Sequence, residues 1–110
     1  MGEPFDRTAL ANCLARSYRV GWQDAGILLD HFREHGESVL LIVDRARTDA
    51  RWLCAWRTTA GTLARHDDCP WRAVRLVAEA ALHLPVPWPE PENLAALADP
   101  PTAPAFQLQP

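Results

Sequence analysis

Residues 38–66, SVLLIVDRARTDARWLCAWRTTAGTLARH, decide the fold of this 110-residue chain. The opening SVLLIVDRA is β-branched and leucine-rich, and it is too short for a well-developed helix. Its apolar residues occupy both alternating faces, which predicts a central strand covered on most of both sides. RTDA indicates a turn, RWLCAWRT alternates as a second strand, and TLARH after TAG predicts a short third strand. We therefore expect an antiparallel meander.

Helical patterns flank this segment on both sides. Asp6 is a predicted N-cap for a first helix over 7–17, with Phe5 and Leu10 in the positions of a hydrophobic staple. A second helix is predicted over 23–35, with one apolar face and a stop at Gly36. The third helix, over 70–84, is almost entirely apolar except for one polar stripe: Arg72, Arg75, Glu79 and His83. Because this polar face is so narrow, we expect the helix to be buried against other elements on several sides.

The fold class that follows is α+β, in the order α-α-β-β-β-α, with the helices packed on one face of a three-stranded antiparallel sheet. Residues 1–84 form the single predicted domain. Residues 85–110 contain eight of the ten prolines and predict a proline-rich C-terminal arm, with a short helical stretch around 92–98.

Composition limits the class of protein. All 11 basic residues are arginine, and they balance the acidic residues of 1–84, so that the net charge of −3 belongs to the arm. Without a basic excess, nucleic acid is an unlikely partner. Three cysteines at wide spacing, without a secretory signal pattern, favour a reducing cytoplasm, and no apolar run approaches the length of a membrane span. The absence of lysine and the abundance of alanine and proline suggest a GC-rich genome.

HDDCPW, residues 66–71, has two interpretations. Pro70 suits a first helical turn, and Asp67 or Asp68 can accept hydrogen bonds from free N–H groups there, which makes the stretch a helix start. A reactive Cys69 with His66 as its base is the alternative. Two adjacent carboxylates oppose thiolate formation, which favours the helix start.

HFREH, residues 31–35, resembles the H-x-x-E-H motif of inverzincin metalloproteases, in which the two histidines bind zinc. The resemblance covers five residues, and Glu79 is the one candidate for a further ligand on a predicted helix. His31 and His35 are therefore weak metal candidates. The same sequence is also explained by basic side chains in the last turns of a helix, where positive charge complements the helix dipole. We expect no cofactor.

Five tryptophans exceed what the core of a small domain usually needs. Trp52 and Trp56 share one face of the second strand, and Arg51 and Arg57 flank them. Coverage by the third helix or the arm is one explanation. The other is a partner-binding surface, to which Trp88 of the arm would contribute, because tryptophan and arginine are common interface anchors.

From residue 27 to 84 the order helix, three strands, helix resembles double-stranded RNA-binding domains, and the strand-strand-helix half resembles HicB-type antitoxins. The resemblance to the RNA-binding family implies a basic start to the last helix. The corresponding stretch here, DDCPWRAVR, has two acids and only Arg72 and Arg75.

These observations predict a small non-enzymatic protein that binds another protein: an inhibitor, an immunity or antitoxin-type protein, or an anti-defence factor of a bacterium or phage. It would act through the aromatic and arginine surface and the proline-rich arm, and a homodimer is compatible with this function. A nucleic-acid-binding module of α-β-β-β-α topology is the first alternative. A zinc- or thiol-dependent enzyme is the second.

Overall fold

The fold is mixed α+β in the predicted order, as a computed structural model that describes residues 5–20, 25–85 and 88. The elements are α1 (Arg7–Val20), α2 (Ala25–Glu34), β1 (Ser38–Val43), β2 (Trp52–Thr58), β3 (Gly61–Asp67) and α3 (Pro70–His83). Each lies within a few residues of its predicted bounds. Apart from Pro85 and Trp88, the proline-rich arm lies outside the described residues.

The sheet is an antiparallel meander in the order β1-β2-β3. The central strand is therefore β2, and the prediction that β1 is central was wrong. Side chains on both faces of β1 are buried, including Leu41 and Ile42. The apolar residues on both alternating faces of SVLLIV predict this burial, but they do not show which strand is central. Strand position depends on which backbone groups are paired, and that is not visible in the side-chain pattern.

The three helices build one core on one face of the sheet. That face carries Val39, Leu41, Cys54, Trp56 and Leu63, which join a cluster with the apolar sides of all three helices. The helix α3 contacts β2, β3, α1 and α2, as its narrow polar stripe predicts. Its buried residues are Ala73, Val74, Val77, Ala78 and Ala81.

Two arginines connect α1 to α3 through backbone carbonyls. The guanidinium of Arg7 donates to the carbonyls of Ala81, Leu82 and Leu84 at the end of α3, at 3.0–3.1 Å. A cation at the end of a helix satisfies carbonyls that lack partners within it and complements the helix dipole. Arg75 in turn donates to the carbonyl of Ser17 on α1. At the start of α1, the predicted cap is present: Asp6 accepts a hydrogen bond from the N–H of Ala9.

Gly36, after α2, lies directly against the indole of Trp56. A Cβ at this position would collide with Nε1 of Trp56 and would lie 2.8 Å from the carbonyl oxygen of Arg57. The residue therefore ends the helix and also leaves room for the tryptophan. Gly26, within α2, has open space around it.

We predict opposite effects for alanine at these two glycines. Gly36→Ala should lower the free energy of unfolding by about 1–3 kcal/mol, because the extra methyl group overpacks a filled site. Gly26→Ala should raise it by up to about 1 kcal/mol, because alanine has the higher helix propensity. Urea unfolding of both variants measures these changes. Equal effects at the two positions would contradict the packing described around Trp56.

Candidate partner-binding loop

The structure places two of the predicted binding tryptophans in the interior. Trp56 has 0% exposure, and its Nε1 donates to the carbonyl of Phe32 at 2.8 Å. Its ring stacks on that of Phe32 at 4.4 Å and lies 5.1 Å from the ring of Phe5. Trp88 is 4% exposed in the same cluster. Trp56 and Trp88 are therefore covered within the chain, as the first of the two explanations predicts, and do not form an exposed partner-binding surface. The face of β2 that Trp52 and Trp56 share is the one that the helices cover.

Of the two predicted arginines, Arg57 lies on the other face of the sheet, and Arg51 precedes β2. Side chains alternate along β2, so Trp52 and Trp56 point to the helices, whereas the residues of odd number point away. Arg51 and Arg57 are both exposed, one at each end of β2, about 20 Å apart along the strand. Trp52 is half-buried. The four residues therefore do not form one continuous surface.

The loop between β1 and β2 contains three arginines. The sequence pattern predicts only a turn in this region. We call residues 44–51 the arginine loop; Arg45, Arg47 and Arg51 are all exposed in it. The backbone N–H of Asp44 donates to the carbonyl of Arg51 at 2.6 Å, and the N–H of Arg47 donates to the carbonyl of Asp44 at 3.2 Å. These bonds close the loop at its base and fix its first turn.

A buried carboxylate supports the loop from below. Asp44 is 4% exposed; its Oδ1 accepts a hydrogen bond from the N–H of Ala46, and its Oδ2 lies 3.0 Å from Nε2 of His66 on β3. A buried carboxylate needs such partners, since an unpaired charge away from water is costly. The Asp44–His66 pair thus joins the loop to a strand that is not its sequence neighbour.

The far side of the loop is held in a strained conformation. Ala50 has a φ of 46°, which is unfavourable for a residue with a Cβ. Its N–H donates to the carboxylate of Asp68, just after β3. Strain of this kind persists where the surroundings impose it, and it is found at binding and catalytic sites. The loop is therefore an ordered structure fixed at both sides.

The three guanidinium groups of the arginine loop differ in their hydrogen bonds and ion pairs. Arg47 donates to the carbonyl of Asp49 at 3.1 Å and lies 3.9 Å from its carboxylate. Among the described residues, the guanidinium groups of Arg45 and Arg51 have no hydrogen-bond or ion-pair partner. Two of the three cations are thus directed to solvent on a fixed backbone.

HDDCPW begins α3, with Pro70 in its first turn, but the aspartates do not act as predicted. The N-cap is Cys69, without a side-chain cap bond. Asp67 accepts from the N–H of Cys69 at 2.9 Å, in a turn before the helix, and Asp68 binds the arginine loop. Within the described chain, the hydrogen-bond partner of His66 is Asp44 and not Cys69.

His31 and His35 stack on each other, with ring centroids 4.2 Å apart. His31 lines a groove between α1 and α2 together with Cys13 and Glu34, and its Nε2 is buried and has no hydrogen-bond partner among the residues that the structure describes. Burial, and next the neighbouring His35, lower the pKa of His31. Over residues 5–20, 25–85 and 88, no three histidine, cysteine or acidic side chains are grouped so that they could hold a metal ion.

The three cysteines are free thiols, and two of them are buried. Burial raises the pKa of Cys13 and Cys54, which favours the protonated thiol over the reactive thiolate. Cys69 is half-buried at the start of α3.

Comparison with known protein families, with curated proteins and with solved structures finds no match for this chain. The helices of the described part include none that could cross a bilayer.

We predict that the arginine loop depends on the carboxylate of Asp44. Asp44→Ala removes the bonds to Ala46 and His66, and it should lower the free energy of unfolding by about 2 kcal/mol. Asp44→Asn keeps the shape and an acceptor oxygen, and it should cost clearly less. Urea unfolding compares the two, and backbone NMR shifts of residues 44–51 report the loop. An unchanged loop in Asp44→Ala would disprove the role of this side chain.

A second prediction concerns pH. Because the pKa of His31 is lowered in the folded state, the unfolded chain takes up this proton first as pH falls through about 6.5. The free energy of unfolding should therefore decrease between about pH 7 and pH 5, and His31→Gln should reduce that decrease. NMR titration of the His31 ring should show a higher pKa in His35→Gln. The same pKa in both proteins would rule out the contribution of His35.

Proposed function

We propose that this protein is a small, non-enzymatic protein-binding protein that engages an acidic surface of its partner through the arginine loop. The observation that carries the proposal is the combination of a fixed loop backbone with the solvent-directed guanidinium groups of Arg45 and Arg51. Trp52 directly follows the loop and is half-buried, with its side chain packed against the core cluster.

A prearranged loop favours tight and selective binding. Its backbone is ordered before the partner arrives, so that less conformational entropy is lost on association. Arginine is enriched at protein interfaces, and its planar group pairs with carboxylates through two parallel hydrogen bonds. The arginine loop carries three arginines and two aspartates, a net charge of +1 in a body that is neutral overall, and this local excess favours the approach of an acidic patch.

Within this class, we favour an inhibitor, an immunity or antitoxin-type protein, or an anti-defence factor, from a bacterium or phage. Small size and a ready-made binding surface are typical of such proteins. A cytoplasmic location is supported by three free thiols, of which Cys13 and Cys54 are buried. A homodimer is compatible with this proposal, and light scattering measures the oligomeric state.

We predict that partner capture depends on the loop arginines. The tagged chain should retain one protein from a lysate of its source organism, at a fixed stoichiometry and less strongly as salt rises. Arg45→Ser combined with Arg51→Ser should reduce the affinity at least tenfold. Arg16→Ser combined with Arg19→Ser, on the exposed side of α1, removes the same charge and should have no such effect. Equal loss in both variants would reject the loop as the binding surface.

A nucleic-acid-binding module is the first alternative to a protein-binding protein, because exposed arginines can also bind phosphate groups. Such a module would bind duplex RNA or DNA with an affinity that falls steeply with salt. We expect no shift of either duplex in a gel at about 50 mM salt. A shift that Arg45→Ser and Arg51→Ser abolish would replace protein binding with this alternative.

A thiol- or zinc-dependent enzyme remains the second alternative. The thiol case requires that Cys69 be alkylated faster than a free cysteine near neutral pH. We expect alkylation of Cys69 at an ordinary rate, and slow alkylation of Cys13 and Cys54 because they are buried. The zinc case requires stoichiometric metal after purification without an affinity tag, which mass spectrometry of the native protein measures.

A further inference from the structure

The side of β3 that faces away from β2, which we call its outer edge, is a border of the sheet. In an antiparallel ladder, alternate residues direct their backbone N–H and C=O groups to opposite sides of the strand. The N–H of Asp44 donates to the carbonyl of Arg51, so the odd-numbered residues of β2 bond to β1 and the even-numbered ones to β3. The register of β2 with β3 therefore leaves the backbone groups of Thr62, Ala64 and His66 facing outward.

These outward groups are unpaired within the described chain, apart from one contact. No backbone donor or acceptor of residues 5–20, 25–85 and 88 bonds to the outer edge at Thr62, Ala64 or His66. The exception is the guanidinium of Arg65, which donates to the carbonyl of Ala64 at 2.7 Å. An unpaired strand edge can accept a further strand, and a charged side chain placed at the edge limits such pairing. Arg65 thus occupies a hydrogen-bonding position that an added strand would use.

Arg65 is also a cation without a counter-ion. It is half-buried, and among the residues that the structure describes no carboxylate lies within ion-pairing distance of it. The two carboxylates at the end of the strand are already engaged, because Asp67 accepts from the N–H of Cys69 and Asp68 from that of Ala50. The outer edge therefore presents a positive charge beside a row of unpaired backbone groups.

A second copy of the chain does not match this edge. If two copies of β3 paired antiparallel over residues 61–67, Leu63 would lie opposite Arg65, and the guanidinium would gain no carboxylate. A shift that brings Asp67 opposite Arg65 leaves only residues 65–67 of the strand paired. A different strand with a carboxylate opposite Arg65 pairs with the whole edge and also supplies the counter-ion, and such opposite-charge pairs across strands are favourable.

We propose that the outer edge of β3 binds an extended acidic segment of another protein as a fourth strand of the sheet. The backbone of the segment pairs with Thr62, Ala64 and His66, and its N–H takes the carbonyl of Ala64 from Arg65. The released guanidinium then pairs with a carboxylate of the segment. Backbone bonds supply the affinity, and Arg65 selects acidic sequences. This surface is separate from the arginine loop, so the inference does not depend on the function proposed above.

Binding of a synthetic peptide to the full chain tests the proposal. The probe is acetyl-Thr-Val-Thr-Glu-Thr-Val-Thr-amide, and the control peptide has lysine in place of glutamate. At about 1 mM, the glutamate peptide should slow hydrogen exchange at the N–H groups of Thr62, Ala64 and His66, measured by NMR. The lysine peptide should bind about tenfold more weakly, because it replaces an opposite-charge pair with a like-charge pair. Unchanged exchange, or equal binding of the two peptides, would overturn the proposal.

Two variants separate the charge from the backbone bonds. Arg65→Gln should abolish the preference for the glutamate peptide, whereas Arg33→Gln, which removes the same charge from the exposed side of α2, should preserve it. Ala64→Pro removes an outward N–H that β2 does not use, so the fold should persist while both peptides lose binding. If Ala64→Pro fails to fold, Arg65→Gln still decides. A preference that survives in Arg65→Gln contradicts the proposed role of this residue.

The same measurements identify other occupants. Slower exchange at the three outward N–H groups with rising protein concentration, without peptide and with a dimer in light scattering, would assign the edge to a second copy and overturn the proposal. Loss of peptide binding in Arg45→Ser combined with Arg51→Ser, but not in Arg65→Gln, would place the acidic segment on the arginine loop instead. Failure of the arginine loop as a binding surface leaves peptide binding at β3 unchanged.

Discussion

The indole of Trp56 is the contact on which the rest of the structure depends. It lies at the centre of the sheet, stacks on Phe32 of α2 and hydrogen-bonds its carbonyl, and meets the rings of Phe5 and Trp88. One side chain thus joins the second helix, the entry to the first helix and the start of the arm to the central strand. Large aromatic side chains bury much surface and have specific packing geometry, so few substitutes fit this site.

The placement of Trp56 also determines what the protein can present to a partner. Since the helices cover the tryptophan face of β2, the alternate residues point to the other face, and that face is buried too. Within the sheet, the residues that remain exposed lie towards the ends of the strands. There the loop from 44 to 51 holds its arginines in place through Asp44 and Asp68, with bonds to residues far along the chain.

Much of the fold could be predicted from the sequence, because periodicity and turn residues report local structure directly. The α-α-β-β-β-α order, the Asp6 cap and the apolar α3 are all of this kind. Alternation also shows that Trp52 and Trp56 share a face, but it does not show which face the helices cover. The fixed conformation of the loop from 44 to 51 could not be predicted either. It depends on hydrogen bonds to His66 and Asp68, and contacts between residues far apart in the chain leave no periodic pattern in the sequence.

The closeness of Trp56 and Trp88, with ring centroids 5.9 Å apart and planes tilted by 50°, has a spectroscopic consequence. Two indoles at such separation and tilt couple their electronic transitions, and the coupling produces a paired positive and negative band in the far-ultraviolet circular dichroism spectrum. That band depends on Trp88 occupying its site. The chain therefore carries an optical reporter of whether its C-terminal segment is attached, which needs no added label.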